Sequence, residues 1–171
     1  YGLLKGGFRP ADAICSLRSV VRQRATKIKD QARCTLHMQK ALTQMNVQLD
    51  HVVSNLTGKT GMAILRQIVA GERDPHKLAI LRDRRLRATE ETVARSLHGN
   101  WRQEHLFALT QALEHYDFLE EQIAACDQAI ADALGTLPIL SKEAPAPVKL
   151  LRSPHRTTAQ QTQLHQALNQ V

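Results

Sequence analysis

The chain has 171 residues, of which 43% are hydrophobic and only 4% are aromatic, and its formal net charge at pH 7 is +7. The small number of aromatic residues and the mean hydropathy of −0.33 argue against a β-sandwich and favour long helices. No apolar run approaches the about 18 residues of a membrane span, no signal peptide is recognisable, and the three cysteines are widely spaced, so we expect a cytoplasmic protein with reduced thiols and no membrane contact.

The first predicted element is one long helix from Asp12 to Leu56, a stretch without Gly or Pro. Its apolar residues recur at alternating spacings of three and four, which is typical of a helix that packs along one face. Arg24, Gln31 and Thr35 occupy the same register and would be costly in a dry interface unless paired. We therefore predict tight packing along the second half of this helix and looser packing along the first. The apolar register consists of Ile14, Leu17, Val21, Ile28, Met38, Leu42, Met45, Leu49, Val52 and Leu56.

The second half of this helix also predicts self-association. If the rest of the chain covers its apolar stripe only in part, burial of the remainder between copies stabilises a homo-oligomer by about 25 cal/mol per Å². We call this stripe the oligomer seam; it consists of Met38, Leu42, Met45, Leu49, Val52 and Leu56.

The excess positive charge lies at the start of the chain. Residues 1–40 hold nine Lys or Arg and two Asp, whereas residues 41–171 hold fourteen residues of each sign. Arg18 and Arg22 are four positions apart, as are Lys29 and Arg33, so these four form a basic flank away from the apolar register. With no aromatic residues for base stacking, the flank suits the phosphates of DNA or structured RNA without reading their sequence. A solvated basic face is the alternative.

Short helices are predicted between the two long ones. The run Thr57-Gly58-Lys59-Thr60-Gly61 resembles the end of a phosphate-binding loop, but the required upstream glycine and strand are missing. We interpret Gly58 as a helix C-cap and Thr60 as an N-cap. The next helix is predicted from Met62 to Ala70, with Gly71 behind it.

Asp74 and Pro75 are a strong start signal for another helix, which we expect to continue past Leu81 into an arginine cluster. Asp83 and Glu90-Glu91 lie close by in sequence, so we interpret the cluster as a solvated or ion-paired face, with a second phosphate contact as the alternative. Thr89 is expected to cap the following short helix, which ends at Gly99. The cluster consists of Arg82, Arg84, Arg85 and Arg87.

A second long helix is predicted from Trp101 to about Leu134, with Asn100 as its cap and Gly135 at its end. Together the elements predict an all-α fold: a long antiparallel helical hairpin or coiled coil with short helices at its bend. The apolar stripe of this second helix is interrupted by Glu120 and Asp127; it comprises Leu106, Leu109, Leu113, Tyr116, Ile123, Ile130 and Leu134.

The other candidate features carry no chemistry. The spacings of His98, His105 and His115 do not supply a clustered ligand set, so no metal site is predicted. No nucleophile elbow, His-Cys dyad, paired-carboxylate motif in a loop or glycine-rich loop after a strand is recognisable. From residue 136 four prolines predict a disordered linker, and the Gln-rich stretch 158–171 resembles the first turns of a further helix.

Four sequence words carry a resemblance to a known family: Tyr1-Gly-Leu-Leu-Lys-Gly-Gly-Phe-Arg-Pro10, Met38-Gln-Lys-Ala-Leu-Thr-Gln-Met-Asn46, Ile68-Val-Ala-Gly-Glu-Arg-Asp-Pro75 and Gly99-Asn-Trp-Arg-Gln-Glu-His-Leu-Phe107. They are similar to the central part of bacterial insertion-sequence transposases of the DEDD type. These have an RuvC-like N-terminal domain and are also known as bridge-RNA-guided recombinases. The resemblance covers about residues 1–135.

The resemblance implies that the chain is a fragment of such a transposase. Residues 1–11 would end the RuvC-like domain, 12–135 form the coiled-coil connector, 136–157 a linker, and 158–171 begin the C-terminal transposase domain. The family's acidic metal ligands and nucleophilic serine are expected outside this chain, so it implies no catalytic residue and no cofactor here, with Mg²⁺ confined to the RuvC-like domain. The expected function is an oligomerising connector that contacts DNA and structured RNA in the bacterial cytoplasm. The alternative is a free-standing helical scaffold for a protein partner.

Overall fold

The computed structural model describes residues 11–137, and every regular element in this range is an α-helix, which confirms the all-α class. Residues 1–10 and 138–171 are outside the described residues, so the predicted end of an RuvC-like domain, the predicted linker beyond residue 137 and the predicted start of a C-terminal domain lie there. The antiparallel hairpin stays a prediction. The helices are α1 (Asp12–Gln44), α2 (Leu49–Val52), α3 (Lys59–Val69), α4 (Pro75–Ala79), α5 (Glu90–Ser96) and α6 (Gln103–Thr136).

The chain divides into two compact units. The larger unit comprises residues 26–123, which include the second part of α1, all four short helices and the first part of α6. The described part of the smaller unit comprises residues 11–25 and 124–137, from the first part of α1 and the last part of α6.

One apolar cluster fills the larger unit, with contributions from all six helices. Many of its side chains are fully buried, and each buried leucine or isoleucine stabilises the fold by about 1.5–3 kcal/mol. The fully buried members include Met38, Leu42 and Met45 near the end of α1, Leu49 of α2, Ile64, Leu65 and Ile68 of α3, Leu78 of α4, and Leu109 of α6.

The predicted helix from Asp12 to Leu56 begins where expected but is wrong in its second part, because α1 ends at Gln44. Asn46 has a positive φ of 57°. The amide of Val47 donates to the Leu42 carbonyl at 2.9 Å, and the amide of Asn46 donates to the Thr43 carbonyl at 2.9 Å. These two bonds form a Schellman motif, in which a left-handed residue, here Asn46, satisfies the last helical carbonyls. The chain therefore turns, and α2 follows as a separate short helix.

The interpretation of the Gly58 region is also wrong in detail. Gly58 is the N-cap of α3 rather than a C-cap, and α3 begins at Lys59. Thr60 lies inside the first turn, where its hydroxyl accepts a hydrogen bond from the Asp83 amide at 2.9 Å instead of capping the helix. A Cβ at Gly61 would lie 2.0 Å from the Leu56 carbonyl oxygen, so this position requires glycine.

The end of α3 and the starts of α4 and α5 lie where the sequence predicts them. Gly71 has a φ of +107° and ends α3, as predicted. The Asp74 carboxylate accepts from the His76 amide at 2.9 Å, with Pro75 at the first position of α4, and the Thr89 hydroxyl accepts from the Thr92 amide at 3.2 Å at the start of α5. These caps are confirmed. However, α4 ends at Ala79, earlier than predicted, because the chain tightens into three-residue turns around Leu78–Arg82.

The start of α6 is shifted by contacts to the turn that follows α1. The Asn100 amide donates to the Met45 carbonyl at 2.7 Å, and a Cβ at Gly99 would lie 2.6 Å from the same oxygen. Residues 99–101 are therefore held in non-helical conformations against this turn, and α6 begins at Gln103. The predicted start at Trp101 and the predicted cap at Asn100 are wrong for this reason. It continues through Gly135 to Thr136, slightly beyond the predicted end.

The smaller unit contains the ion pair between Arg24 of α1 and Asp127 of α6. Both side chains are mostly buried, at 17% and 19% exposure, and a second guanidinium nitrogen lies 3.3 Å from the other carboxylate oxygen. Arg24 and Asp127 each interrupt an apolar register, and each supplies the partner that the other requires. Leu17 and Ile130 are the buried apolar residues of this unit's described part.

Candidate nucleic-acid interface

The four residues of the predicted basic flank all lie on α1 and are exposed. Arg18 and Arg22 belong to the smaller unit, and Lys29 and Arg33 to the larger. Arg33 Nη1 lies 2.9 Å from Asp30 Oδ1, yet the arginine side chain remains 73% exposed. Such an exposed pair contributes little stability and leaves the guanidinium accessible to a ligand.

The charge of α1 is strongly positive, since the helix carries seven Lys or Arg and two Asp. One of the seven, Arg24, is committed to Asp127 and cannot serve as a surface contact. α1 contains no Phe, Tyr or Trp that could stack on a base. Its accessible chemistry is therefore that of cations suited to phosphate groups.

The predicted oligomer seam is not an exposed surface of the single chain. Met38, Leu42, Met45, Leu49 and Leu56 are at most 3% exposed, and Val52 packs partly buried against the same cluster. The physical reason is the turn at Asn46, which folds the end of the stripe back into the larger unit's own core. Self-association stays a prediction, but these six residues do not offer the free apolar area from which it was argued.

A second basic surface lies in the larger unit, in the loop between α4 and α5. We call residues 82–88 the arginine loop. The Leu86 amide donates to the Asp83 carbonyl at 2.9 Å, which closes a tight turn with Arg84 and Arg85 at its two central positions. The Arg85 amide donates to Asp83 Oδ1 at 2.9 Å, a bond typical of aspartate at the start of a turn.

Within the described residues no carboxylate lies in ion-pair contact with the arginine side chains of this loop, so the ion-paired form of the face expected from the sequence is wrong. The solvated face and the phosphate contact stay predictions. The Asp83 carboxylate contacts the Arg85 backbone amide and, at 3.7 Å, Lys59 Nζ, rather than a guanidinium group. Arg82 donates to the Ala88 carbonyl at 3.4 Å. Arg84, Arg85 and Arg87 are exposed.

The electrostatics of the loop centre on Asp83. The hydrogen bond from the Arg85 amide, together with the positive charges of Lys59 and Arg85, lowers the pKa of its carboxyl group below the ordinary value. The aspartate is therefore a fixed negative charge at neutral pH.

Two open surface depressions adjoin the arginine loop. One has a volume of about 540 Å³ and is lined by Lys59, Arg82, Asp83, Arg84 and Arg85. The other, of about 390 Å³, is lined by Val52, Ser54, Arg85, Leu86, Arg87 and Ala88. Arg85 lines both, so the cations of the loop share one continuous basic region of surface. The sequence signalled this region only as an arginine cluster, because Lys59 joins it through the fold.

The remaining candidate groups considered from the sequence are the histidines and the cysteines. In the part of the chain that the structure describes, no group of three or more His, Cys, Asp or Glu side chains is arranged to hold a metal ion. His98 and His115 are exposed, and His105 is half-buried. The three cysteines are free thiols, and burial raises the pKa of the Cys34 thiol. Among residues 11–137, no helix combines the length and apolarity needed to cross a membrane.

Comparison of the chain with protein-family models, curated proteins and solved structures gives no match.

Proposed function

We propose that the chain is the connector segment of an insertion-sequence transposase of the DEDD type, which contacts the phosphate backbone of DNA or structured RNA and has no catalytic residues of its own. The family assignment is supported by the four sequence words in residues 1–10, 38–46, 68–75 and 99–107. A cytoplasmic location in a bacterium is part of the same proposal.

The observation that carries the binding role is the accessible charge on α1. Arg18 and Arg22 are about one helical turn apart, as are Lys29 and Arg33, so the two members of each pair lie on the same face of α1. All four are exposed, and the helix brings only two aspartates against seven cations. Exposed cations of this kind bind the phosphates of a nucleic acid without base contacts, and they release the counterions condensed on those phosphates.

Binding should be independent of sequence and strongly dependent on salt. With about four phosphates neutralised at about −0.9 each, log affinity should fall with log salt concentration at a slope of about −3 to −4. The measurement is a fluorescence titration of the full chain with a duplex DNA and a hairpin RNA at several salt concentrations. Changing Arg18, Arg22, Lys29 and Arg33 to Ala should abolish most of the binding. Each replacement should reduce the magnitude of the salt slope by about one.

A matched control exists on the larger unit. Arg66, Lys77, Arg95 and Arg102 are also exposed, but three of them have carboxylate partners: Asp117 at 3.0 Å, Glu72 at 3.5 Å and Glu104 at 2.9 Å. Their replacement by Ala removes the same charge and should leave most of the binding intact. If the α1 variant, with unchanged helicity, binds both nucleic acids as tightly as the parent at 0.15 M salt, the proposal fails.

A helical scaffold for a protein partner is the second candidate, and exposed apolar side chains favour it. Phe107 and Phe118 of α6 are 68% and 54% exposed and lie eleven positions apart, so they share one side of the helix. A second copy of the chain is the first partner to test. Light scattering over a concentration series should show association that weakens when both are changed to Ser, and a concentration-independent monomer would argue against this candidate.

A further inference from the structure

We propose that Lys59 and the arginine loop form a separate binding surface for the phosphate backbone of a nucleic acid. The proposal goes beyond the α1 contacts, because it shares no residue with them. The two depressions described above are lined by five cations, Lys59, Arg82, Arg84, Arg85 and Arg87. Asp83 is the one carboxylate among the lining residues, and it lines the larger depression.

The loop holds its cations in place through contacts to the core. Asp83 is tied to the first turn of α3 by the hydrogen bond from its amide to the hydroxyl of Thr60, a residue that is 8% exposed. Leu86 and Ala88 pack against the apolar cluster on the other side of the turn. Arg84 and Arg85, at the central positions of the turn, therefore project from an anchored backbone. A preorganised loop loses less conformational freedom on binding than a free one.

The lining of the larger depression favours a nucleic-acid backbone over other anions. The depression is open, so an isolated phosphate would remain hydrated on one side, whereas a chain of phosphates engages several cations and releases counterions. None of the five residues that line the larger depression is aromatic or aliphatic, and Val52, Leu86 and Ala88 in the smaller one are partly buried against the apolar cluster. Protein interfaces, in contrast, have an apolar or aromatic anchor at their centre. Guanidinium groups match phosphate oxygens with paired hydrogen bonds.

Asp83 opposes this binding, and its position allows a specific test. In Asp83→Asn the side-chain oxygen still accepts from the Arg85 amide, so the turn is kept while the negative charge is lost. We expect this variant to bind duplex DNA about two- to fivefold more tightly, in the range of surface charge interactions. Glu114→Gln on α6 makes the same charge change at an exposed position elsewhere in the unit and should leave affinity unchanged.

Two further variants test whether nucleic acid binds at the arginine loop itself or is attracted only by the net positive charge of the protein. The double variant Arg84→Ala and Arg85→Ala should reduce the magnitude of the salt slope by about two and the affinity by about tenfold. The control variant Arg95→Ala with Arg102→Ala should change the slope and the affinity little. Thr60→Val removes the anchor of the loop without a charge change and should weaken binding about threefold. Thr110→Val, which removes the hydroxyl that donates to the Leu106 carbonyl at 2.9 Å, is its control.

The measurements use the full chain, with thermal unfolding followed by circular dichroism to confirm that each variant is folded. The inference is overturned if the double arginine variant binds like the parent, if Asp83→Asn and Glu114→Gln have equal effects, or if polyglutamate of equal charge competes as well as DNA. If the loop variants fail to alter binding while the α1 variant abolishes it, this inference is wrong and the proposed function stands. If only the loop variants matter, this surface stands and the proposed α1 contact is wrong.

Discussion

The two portions of α1 bury their apolar register to different degrees. In the larger unit, Met38 and Leu42 near the end of α1 are at most 1% exposed, whereas Ile28, at the start of this portion, is 37% exposed. In the smaller unit, Leu17 is 3% exposed but Ile14 and Val21 are only partly buried, and the register includes Arg24, which pairs with Asp127. The same register is therefore stabilised in two ways. Near the end of α1 it is stabilised by apolar burial, which requires only shape and volume, and near Arg24 by a mostly buried ion pair, which requires one specific partner. The predictions below test that difference.

The largest effect should come from truncation of a core leucine in the larger unit. Leu42→Ala removes a side chain that is 1% exposed and should lower the free energy of unfolding by about 2–5 kcal/mol, because it leaves a cavity in a close-packed cluster. Leu36→Ala is the control, since Leu36 lies on the same helix but is 64% exposed, and it should change stability by no more than about 0.5 kcal/mol. Chemical denaturation measures both. Equal losses would mean that the two sites do not differ in burial as described.

The ion pair of the smaller unit should contribute less than a core leucine but more than a surface pair. Arg24→Ala or Asp127→Ala alone should cost about 1–3 kcal/mol, because the remaining charge loses its partner in a mostly buried position. The double variant should lose less than the sum of the two.

The pair of Arg33 and Asp30, 73% and 37% exposed, provides the matched comparison, with an expected coupling of about 0–1 kcal/mol. A double-mutant cycle on each pair gives the two coupling energies. If Arg33 and Asp30 couple as strongly as Arg24 and Asp127, the burial of the second pair does not strengthen it, and the proposed source of stability in the smaller unit is wrong.

The turn that ends α1 should show a smaller effect. Asn46→Ala should cost about 1 kcal/mol, because alanine is disfavoured at the positive φ of 57°, whereas Asn46→Gly should be neutral or slightly stabilising. Thermal unfolding of both variants, with Gln44→Ala in the preceding helical turn as a control, tests this. If Asn46→Ala and Asn46→Gly have the same stability, the left-handed turn is not what ends the helix.

The smallest effect concerns the pH dependence of stability. Hydrogen bonds from the backbone amides of Asp74 and Arg73, together with the charge of Lys77, lower the pKa of Glu72 from its ordinary value of 4.5. Because the folded-state pKa lies below the unfolded one, this stabilisation is present above about pH 4.5 and is lost as the pH falls through the lower folded value.

Glu72→Gln should therefore flatten the decline in stability below pH 4.5. Denaturation at a series of pH values measures this decline. Glu114→Gln is the control, since Glu114 accepts only a side-chain hydrogen bond, from Gln111 at 3.4 Å. An unchanged decline in the Glu72 variant would contradict the role of these amides.

Local signals in the sequence predicted the helix boundaries that depend on neighbouring residues. Asp74 with Pro75, Thr89 and Gly71 act as expected because a cap or a left-handed turn is satisfied by amides and carbonyls a few positions away. The end of α1 was missed because the apolar spacing continues through residues 45–56. Asn46 was the available signal, since asparagine tolerates the left-handed conformation better than most residues.

The two candidate surfaces also differ in how much of each could be predicted from the sequence. The cations of α1 were predicted from charge and helical spacing alone, and their exposure agrees with that prediction. The arginine loop was recognised as a cluster, but Lys59 and the anchor at Thr60 were not, because Asp83 is 23 positions from Thr60. Whether either surface binds nucleic acid stays a prediction.

The sequence by itself determined the helical class, the caps at Asp74 and Thr89, the turn at Gly71 and the location of the excess charge, because these depend on composition and on residues within one or two turns of each other. Only the tertiary structure decided which polar residues of the apolar registers are paired and which apolar residues remain exposed. Arg24 and Asp127 are 103 positions apart, and nothing in local spacing selects that partner. The burial of the stripe from Met38 to Leu56 likewise follows from a single turn at Asn46, which directs the chain into its own core.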